Sequence, residues 1–528
     1  MKIKRLILPM LALTGMLTAQ AQEALKLPIS QNLTLKIWAP FNANANGAIK
    51  NFGEMTLYKM LEGSTGIKVD FEHPPLGSEK ERFNLLLASR NYPDIIEYSW
   101  FDVPGGPEQM LRQGVIVRLN EAIAKYAPNL TKYLAANPGL RRDISTDDGD
   151  IYAFPAIRIN PLKEGVTYGP TLRADWLERL KLRPPRSVAD WTAVLKAIKT
   201  GDPNGNGKPD EIPLSGDSTS ASTGIPLTVQ GFLSAYNLAP GFYQSAPGKV
   251  GYAEITDDYK RFLTQMHQWY AAGLIDPDFM SSTTQQLDAK VLQNRVGAFY
   301  GYAGSGMGRY LANAAKQIPG FSLVAAPYAF GQGGKNYMPF HSASRRYQGY
   351  GAAISGTNKS IPETVKWLDY QYSPAGRLAV NFGKEGATYT LVNGQPVYTD
   401  MITKNPKLSM AQALTYCCRP QFLIGIQDIR YIRQLFSLPQ QQSAYQLWRR
   451  ASFERVLPGV TPSQGDSRKF ASIMNDVNTY VAEMTAKFIT GAEPLERFDA
   501  YAARVKDQGI DEATGIMQRA LDRYNARK

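Results

Sequence analysis

The first hundred residues alternate between strand patterns and helix patterns, and this alternation restricts the chain to few fold classes. Apolar and polar residues alternate over 33–38, 66–71 and 94–98, as they do in half-buried strands. Helical patterns occupy 51–61 and 79–89, between these strands. Strands separated by helices favour parallel pairing, because a parallel connection needs a long crossover. We therefore predict an α/β body with parallel strands.

Helical patterns continue through the rest of the chain, at 173–180, 188–198, 257–272 and 511–524. The third of these is amphipathic and carries Trp269, which we expect to lie in the core. A chain of 528 residues is long enough for two to four domains or for one large body with two lobes. At 44% hydrophobic residues it can bury a sizeable core, which excludes a disordered chain.

The N-terminus has the three parts of a secretory signal peptide in their usual order. Three basic residues precede the apolar run 6–17, and Ala-Gln-Ala at 19–21 offers a cleavage site. The run is too short to span a membrane, and no cysteine follows it to carry a lipid anchor. We predict that residues 1–21 are removed and that the mature protein is periplasmic and soluble. The alternative is a buried N-terminal helix.

The chain is basic, with a formal net charge of +13, of which three positive charges lie within residues 1–21. Outside the cytoplasm a basic surface attracts acidic saccharides or a membrane surface. No long run of Lys and Arg is present, so the sequence gives no reason to expect a nucleic-acid partner. The alternative is that the charge only keeps the protein soluble.

The chain has two cysteines, Cys417 and Cys418, and three histidines, His73, His267 and His341. These numbers exclude a disulfide scaffold and a cysteine-ligated zinc site, and they argue against a histidine metal cluster. Because the two cysteines are adjacent, a disulfide between them would close a strained eight-membered ring. We expect free thiols or simple packing at this position.

Residues 202–213, DPNGNGKPDEIP, form the most specific local motif. Oxygen-bearing residues recur at alternate positions around glycines, a spacing that wraps a calcium ion. Position 12 of an EF-hand loop would be Pro213 instead of glutamate, which indicates a modified loop without the usual second helix. The filled oxygen shell predicts a structural ion, and the alternative is a turn without metal. The predicted ligands are Asp202, Asn204, Asn206, Asp210 and Glu211 through their side chains and Lys208 through its carbonyl oxygen.

No nucleophile elbow, phosphate-binding loop, dinucleotide fingerprint or zinc-protease helix is present in a supporting context. A pair of carboxylates for glycoside hydrolysis stays open, because their separation in space cannot be read from the sequence. Aromatic residues are more informative, because sugar rings stack on aromatic faces. Trp38, Tyr98 and Trp100 follow predicted strands, where ligands of α/β sheets collect, and Tyr300 and Tyr302 lie in a glycine-rich segment. For each of them the alternative is hydrophobic packing.

Several segments together resemble the large solute-binding proteins of ABC importers, and most closely the periplasmic alginate-binding proteins. The resemblance runs from residue 33 to the end of the chain, and the calcium loop is its most specific part. Its other segments are LAS at 87–89, PDII at 93–96, DGDIYAFP at 148–155, RADWL at 173–177, WYAAGLIDP at 269–277, FGKEGATY at 382–389 and ALDRY at 520–524.

The resemblance implies two α/β lobes that are joined by crossing segments and close on an oligosaccharide in the cleft between them. The implied N-terminal lobe is 22–156 plus 328–384, and the C-terminal lobe is 157–327 plus 385–528. The crossings are expected near Pro155 to Arg158, Ala326 and Lys384. The calcium ligands of the family match the six residues named above, and no catalytic residue is implied.

The residue patterns and the family resemblance together give the expected ligand-binding residues. They are Trp38, Tyr98, Trp100, Arg158, Tyr300, Tyr302, Glu385 and Arg419. Tyr300 and Tyr302 align near a tryptophan of the alginate binders, and a second family tryptophan, expected around 424–427, is absent. Arg158 and Arg419 are candidates for pairing with a uronate carboxylate, with a surface or structural role as the alternative.

The sequence therefore predicts a monomeric, non-catalytic component of an ABC importer. It would bind an acidic oligosaccharide, such as alginate or another polyuronate, and deliver it to a membrane permease. Two other functions stay open. One is an exported carbohydrate-active enzyme, a lyase or glycosidase, which would need a positioned acid/base pair. The other is a peptide-binding importer component.

Overall fold

The computed structural model describes residues 25–41, 45, 48–103, 105–160, 166–216, 226–331, 334–339, 345–408, 410–419 and 424–527. The predicted signal peptide, 1–21, lies outside these residues.

The strands of the described residues are β1 (Thr34–Trp38), β2 (Lys68–Glu72), β3 (Ile95–Ser99), β4 (Phe154–Ile157), β5 (Tyr168–Arg173), β6 (Ile212–Ser215), β7 (Phe242–Ala246), β8 (Lys249–Tyr252), β9 (Val296–Tyr302), β10 (Leu323–Ala325), β11 (Tyr350–Ile354), β12 (Tyr389–Val392), β13 (Gln395–Tyr398) and β14 (Gly425–Ile426).

The α-helices are α1 (Thr56–Thr65), α2 (Glu79–Ser89), α3 (Gly106–Arg112), α4 (Asn120–Tyr126), α5 (Pro128–Ala135), α6 (Pro138–Asp143), α7 (Ala174–Arg179), α8 (Val188–Thr200), α9 (Leu227–Gln230), α10 (Asp257–Ala271), α11 (Thr284–Leu292), α12 (Arg309–Asn313), α13 (Ile361–Tyr370), α14 (Pro374–Phe382), α15 (Asp400–Thr403), α16 (Met410–Ala413), α17 (Ile429–Leu435), α18 (Pro439–Trp448), α19 (Gln464–Thr490), α20 (Phe498–Asp507) and α21 (Ile510–Ala526).

A six-stranded sheet with the order β14-β4-β11-β3-β1-β2 contains the N-terminal strands. β1 pairs in parallel with β2 and β3, with Thr34 opposite Lys68 and Ile37 opposite Ile95, as the alternation of strands and helices predicted. β11 runs antiparallel to both β3 and β4, and β14 is parallel to β4. The sheet is therefore mixed, because strands from distant parts of the chain complete it.

A second sheet has the order β10-β5-β9-β6. β5 is antiparallel to β9 and β10, and β6 is parallel to β9. Each sheet has its own apolar core. Trp38, Ile95 and Phe154 belong to the core around the six-stranded sheet, and Trp176 and Trp269 to the larger core around the four-stranded sheet. Trp269 is 1% exposed, which confirms its predicted place in the core.

The chain passes between the two sheets several times. It leaves the six-stranded sheet after β4, enters the four-stranded sheet at β5, and returns between β10 and β11. β14 corrects one predicted boundary. It lies within 385–528, the range assigned to the C-terminal lobe, but it pairs with β4 in the six-stranded sheet, because a two-residue strand gives no pattern that reveals its partner.

The predicted helices 79–89, 188–198, 257–272 and 511–524 correspond closely to α2, α8, α10 and α21. At α8 the beginning is fixed by a capping box, in which Ser187 and Asp190 exchange side-chain-to-backbone hydrogen bonds. In the described part of the chain, no helix combines the length and the apolar character needed to cross a membrane.

Candidate functional site

Arg158 lies at the junction of the two sheets, directly after β4. Its backbone N–H donates to the carbonyl oxygen of Arg346 at 2.8 Å, so two connecting segments meet here. Protein atoms enclose its guanidinium, and this burial lowers the pKa of Arg158, whereas the hydroxyls of Tyr431, Tyr302 and Tyr350 raise it in part. The residue nevertheless keeps partial solvent access. Arg158 is therefore a half-buried residue between the two sheets, with its guanidinium enclosed by protein atoms.

Tyr302 is the exposed aromatic residue of this junction. It ends β9 with 53% of its surface exposed. Its cross-strand partner is Tyr168 on β5, and the two rings meet edge to face with centroids 4.7 Å apart. This contact holds the Tyr302 ring while leaving one side open. Such a ring can stack against the apolar face of a sugar.

Tyr350 and Gln427 bring polar groups to the same junction. Tyr350 begins β11, and its hydroxyl donates to Glu97 at 3.2 Å. Gln427 follows β14, donates its backbone N–H to Ile157 at 2.8 Å, and accepts at its side-chain oxygen from the N–H of Ile159 at 3.3 Å. Gln427 is 6% exposed, and the Tyr350 hydroxyl also accepts from Arg419 at 3.4 Å. These two residues therefore support the junction, and Arg158 and Tyr302 are the residues that it leaves partly or fully exposed.

Two predicted ligand residues lie in the core instead of in a cleft. Trp38 is 2% exposed and Trp100 is fully buried, and the indole N–H of Trp100 donates to the carbonyl oxygen of Gly351 at 3.0 Å. All seven tryptophans of the chain are buried in this way. In this conformation tryptophan therefore supplies no exposed aromatic surface for a sugar.

Tyr98 and Tyr300 are also held by packing. Tyr98 is half-buried and stacks on Phe83, with ring centroids 4.1 Å apart. Tyr300 is 4% exposed although it points to the same side of β9 as Tyr302. The difference is Gly231, which covers Tyr300: a Cβ atom at Gly231 would lie only 2.1 Å from the Tyr300 ring.

Arg419 forms a buried ion pair. Its guanidinium donates to both carboxylate oxygens of Glu97, at 2.8 and 3.2 Å, and to the hydroxyl of Tyr58 at 2.8 Å. With 3% of its surface exposed it has no access to a solute in this conformation. The pair joins Arg419 to β3, which is the structural role that the sequence left as the alternative.

Glu385 is exposed and lies away from the junction. It lines a cavity of about 340 Å³ between α1 and α14, together with Leu61, Tyr370 and Lys384. None of the junction residues described above lines this cavity. The structure therefore brings Arg158 and Tyr302 together and separates Glu385 from them.

The predicted calcium loop connects α8 to β6, so a strand follows where an EF-hand has its second helix. Asp202 accepts hydrogen bonds from the N–H groups of Asn206 and Gly207, at 3.1 and 3.0 Å. Gly207 has a φ of +72°, which favours glycine at this turn. The side-chain amides of Asn204 and Asn206 both donate to Asp210, at 3.0 and 3.1 Å. The oxygen-bearing side chains thus converge around one turn.

Glu211 gives an independent test of whether these residues fit a cation. Both of its carboxylate oxygens are buried and accept no hydrogen bond from the described residues. Burial raises the pKa of this carboxyl; the nearby backbone N–H groups of Glu211 and Asn204 lower it in part, and the negative charges of Asp202 and Asp210 raise it. A buried, unsatisfied carboxylate beside other oxygens is what a bound cation would satisfy. The residues therefore fit calcium.

The ligand set would have to be a mixed one. Among the described residues, no three His, Cys, Asp or Glu side chains come close enough together to hold a metal by themselves. A cation in this loop would also need the amide oxygens of Asn204 and Asn206 and the carbonyl oxygen of Lys208. Calcium accepts such combinations of carboxylate, amide and backbone oxygens.

Sequence reasoning missed Tyr168, Tyr350, Gln427 and Tyr431. Each reaches the junction through pairing or packing with a distant part of the chain, as Tyr168 does through its register with Tyr302. No local motif distinguishes these residues. The only signal was the high tyrosine content, 29 residues, which does not say which tyrosines meet.

Comparison with known proteins gives consistent matches over most of the chain. The sequence pattern of a family described as bacterial extracellular solute-binding protein matches residues 48–378. The fructooligosaccharide ABC transporter substrate-binding protein FusA of Streptococcus pneumoniae is 26% identical, over 96% of this chain and 93% of its own length. The polygalacturonan/rhamnogalacturonan-binding protein YtcQ of Bacillus subtilis is 26% identical, over 46% of each chain.

The structural comparison agrees with the sequence matches. The crystal structure of the alginate-binding protein AlgQ2 without calcium ion superimposes with a TM-score of 0.73 and 25% identity, over 94% of this chain and 99% of that one. This match confirms the predicted two-lobed α/β fold of periplasmic binding proteins. The matched relatives bind solutes and are not enzymes, which supports the prediction that the chain has no catalytic function.

Proposed function

The chain belongs to the bacterial extracellular solute-binding proteins, and we propose that it is the oligosaccharide-binding component of an ABC importer. The observation that carries this proposal is the junction between the two sheets, where Arg158 is enclosed yet reachable beside the exposed ring of Tyr302. Sugar rings stack on such a ring, and this is the contact that the exposed face of Tyr302 offers to a solute.

We further propose that the solute is acidic. Arg158 is a cation in an environment whose burial already disfavours its charge, and a carboxylate of the solute would stabilise that charge by a bidentate ion pair. The names of two relatives, AlgQ2 and YtcQ, refer to polyuronate-type saccharides and are consistent with this choice. The ligand-contacting residues would be Arg158 and Tyr302, with the half-buried Tyr98 as a further candidate.

The proposed lobes are 22–156 plus 328–384 and 157–327 plus 385–528, apart from β14. A solute bound between them favours the closed form only through its higher affinity for that form. The closed form would then deliver the solute to a membrane permease. We propose that the mature protein is a periplasmic monomer, that residues 1–21 serve as its signal peptide, and that a calcium ion held by the loop 202–211 is structural.

Binding to the native state raises the melting temperature, so a thermal-shift screen tests the proposal directly. The mature protein is screened with oligogalacturonates and alginate oligosaccharides of defined length, and with neutral fructo-oligosaccharides. Hits are confirmed by calorimetry and by analysis for reaction products. A saturable shift with an acidic oligosaccharide and no product is expected. A response to peptides alone, or turnover of a saccharide, would reject the proposal.

Substitution of Arg158 tests the carboxylate contact. Arg158→Gln should weaken binding of the acidic oligosaccharide by roughly 10- to 100-fold, because a charge-assisted hydrogen bond contributes about 1.5 to 3 kcal/mol. Calorimetry compares the affinity of Arg158→Gln for the oligosaccharide with that of Arg141→Gln. Arg141 is exposed and lies away from the junction. Equal affinities for the two variants would reject a role of Arg158 in ligand charge recognition.

A neutral oligosaccharide is the second candidate. The observation that favours it is FusA, whose name specifies fructooligosaccharides and whose match extends over 96% of this chain. For a neutral ligand, Tyr302→Ala should reduce affinity, whereas Arg158→Gln should change it little. The pair of variants therefore separates the two solute classes.

A further inference from the structure

Cys417 and Cys418 form a buried pair whose sulfur atoms are in contact. Both residues are fully buried, and their Sγ atoms are 3.0 Å apart. A disulfide bond measures about 2.05 Å, so the two sulfurs need to approach by only about 1 Å to bond. Both thiols are free in the structure, as the sequence predicted. We nevertheless propose that this pair is a modification site, which is oxidised to an intramolecular disulfide once the protein has been exported.

The pair lies where the two sheet bodies meet. Cys417 and Cys418 belong to the core of the four-stranded sheet, but the carbonyl oxygen of Cys417 accepts from the N–H of Leu57 at 2.9 Å. Leu57 is in the first turn of α1 and belongs to the other core. The next residue, Arg419, is held by Glu97 on β3. A conformational change of the Cys417–Cys418 peptide would therefore alter contacts with the cores of both sheets.

The backbone of a glycine packs directly against the two cysteines. Gly383 lies against the pair, and a Cβ atom there would come within 2.9 Å of the Cys417 Cβ and 3.3 Å of its sulfur. Gly383 has a φ of +81°, so a side chain at this position is disfavoured by the backbone as well. The Cys418 sulfur contacts the carbonyl oxygen of Asn381 at 3.3 Å.

The reaction is thiol–disulfide exchange with a protein disulfide of the export compartment as the oxidant. One cysteine thiolate attacks a sulfur of that disulfide and forms a mixed disulfide, which releases the first thiol of the oxidant. The second cysteine thiolate then attacks the sulfur of its neighbour and releases the other thiol. Two electrons and the two thiol protons of the pair pass in total to the oxidant, whose disulfide becomes a dithiol.

Adjacency makes this disulfide a labile one. Neighbouring Cα atoms are about 3.8 Å apart in a trans peptide, below the usual 4.4 to 6.8 Å of a disulfide. Strained disulfides are easier to reduce and are characteristic of switching sites rather than structural ones. Because neither sulfur is exposed after folding, the exchange has to occur before this region is buried or during local opening.

The test counts thiols and needs no solute, so it is independent of the proposed binding function. The full chain is exported with its own leader, collected without reductant and denatured in guanidinium with N-ethylmaleimide. Mass spectrometry of the peptide that contains both cysteines should show no adduct and a mass lower by two hydrogen atoms. Reduction before alkylation should give two adducts. Two adducts without reductant, or a disulfide-linked dimer, would overturn the proposal.

The single variants Cys417→Ser and Cys418→Ser provide the control. Each should take one N-ethylmaleimide with or without reductant, which establishes that a missing adduct in the unaltered protein reflects oxidation. Hydrogen exchange at the Leu57 amide tests the coupling between the two bodies. Reduction should change its exchange rate several-fold in the unaltered protein and not in Cys418→Ser, and an equal rate before and after reduction would overturn the coupling.

Discussion

Glu254 is a fully buried carboxyl, and no described Lys, Arg or His forms an ion pair with it. One oxygen accepts from the N–H of Gly241 at 2.8 Å, and the other accepts no hydrogen bond from the described residues. Burial raises the pKa of Glu254 from 4.5 to about 7. The folded state therefore binds a proton that the unfolded state releases between these two pH values.

The sign of the pH effect follows from this difference. Below pH 4.5 the carboxyl is neutral in both states, and the free energy of unfolding has its full value. As the pH rises through 7, the free energy of unfolding falls by about 3 kcal/mol. Glu254→Gln removes the charge, so its free energy of unfolding should exceed that of the unaltered protein at pH 8 and resemble it at pH 5. Urea unfolding at both values, at constant calcium, gives the comparison.

The exposed residue Glu496 provides the matched control, because Glu496→Gln should leave the pH dependence as it is. If Glu254→Gln and the unaltered protein lose the same stability between pH 5 and pH 8, Glu254 does not titrate in this range.

Residue type and local pattern predicted whether a side chain is buried only where its own helix or strand determines the burial. Trp269 was predicted to be in the core from the amphipathic pattern of its own helix, and it is buried. Arg419 looked like a ligand residue because Glu97, its partner, is 322 positions away in the sequence. Tyr300 and Tyr302 share one side of β9, but Tyr300 is covered by Gly231 and packs against Phe232, whereas Tyr302 is exposed.

At the scale of elements, the loop 202–211 offers a prediction about metal removal. A bound cation would stabilise its unsatisfied Glu211 oxygens and its converging Asp and Asn side chains. A ligand present at 100 times its Kd stabilises the native state by about 2.7 kcal/mol. Excess chelator should therefore lower the melting temperature by several degrees, and added calcium should restore it.

A variant of the loop distinguishes calcium binding from a general effect of the chelator. Glu211→Ala should melt at the same temperature with and without chelator, because the metal would no longer be held. The melting temperature of the unaltered protein is measured alongside, with metal analysis of both samples. A calcium-free sample of the unaltered protein that melts at the original temperature would contradict a structural role of the ion.

The elements themselves were predicted better than their assembly. The patterns at 33–38, 66–71 and 94–98 gave β1, β2 and β3 and their parallel pairing, because hydrophobic periodicity is a local signal. β11 and β14 enter the same sheet from residues 350–354 and 425–426, and their antiparallel or parallel direction depends on the connections between the lobes. The junction around Arg158 is formed by these late strands, so its full composition could not be predicted.

At the scale of the whole molecule, the C-terminal helix α21 and the residue after it contact residues 143–147, which lie beside the core of the six-stranded sheet. Asp147 accepts from Arg523 and from two nitrogens of Arg527, the latter at 2.7 and 2.9 Å. Arg527 also donates to the carbonyl oxygen of Ser145 at 2.7 Å, and the Tyr524 hydroxyl donates to Asp143. Ile144 and Ile151 belong to the core of the six-stranded sheet, whereas α21 packs on the opposite body.

Weakening this contact should loosen the relative arrangement of the lobes. Asp147→Asn keeps the shape of the side chain but loses the charge that three guanidinium nitrogens contact, at a cost of about 1 to 2 kcal/mol for a partly exposed group. Without solute, small-angle scattering should give a larger radius of gyration, and calorimetry should show a lower or divided unfolding transition. Asp148→Asn, at an exposed neighbouring position, should change neither. If Asp147→Asn matches Asp148→Asn in both measurements, the C-terminal helix does not restrain the lobes. A larger radius in Asp147→Asn would instead mean that a solute must supply more differential affinity to close the cleft, because it closes the lobes only by that difference.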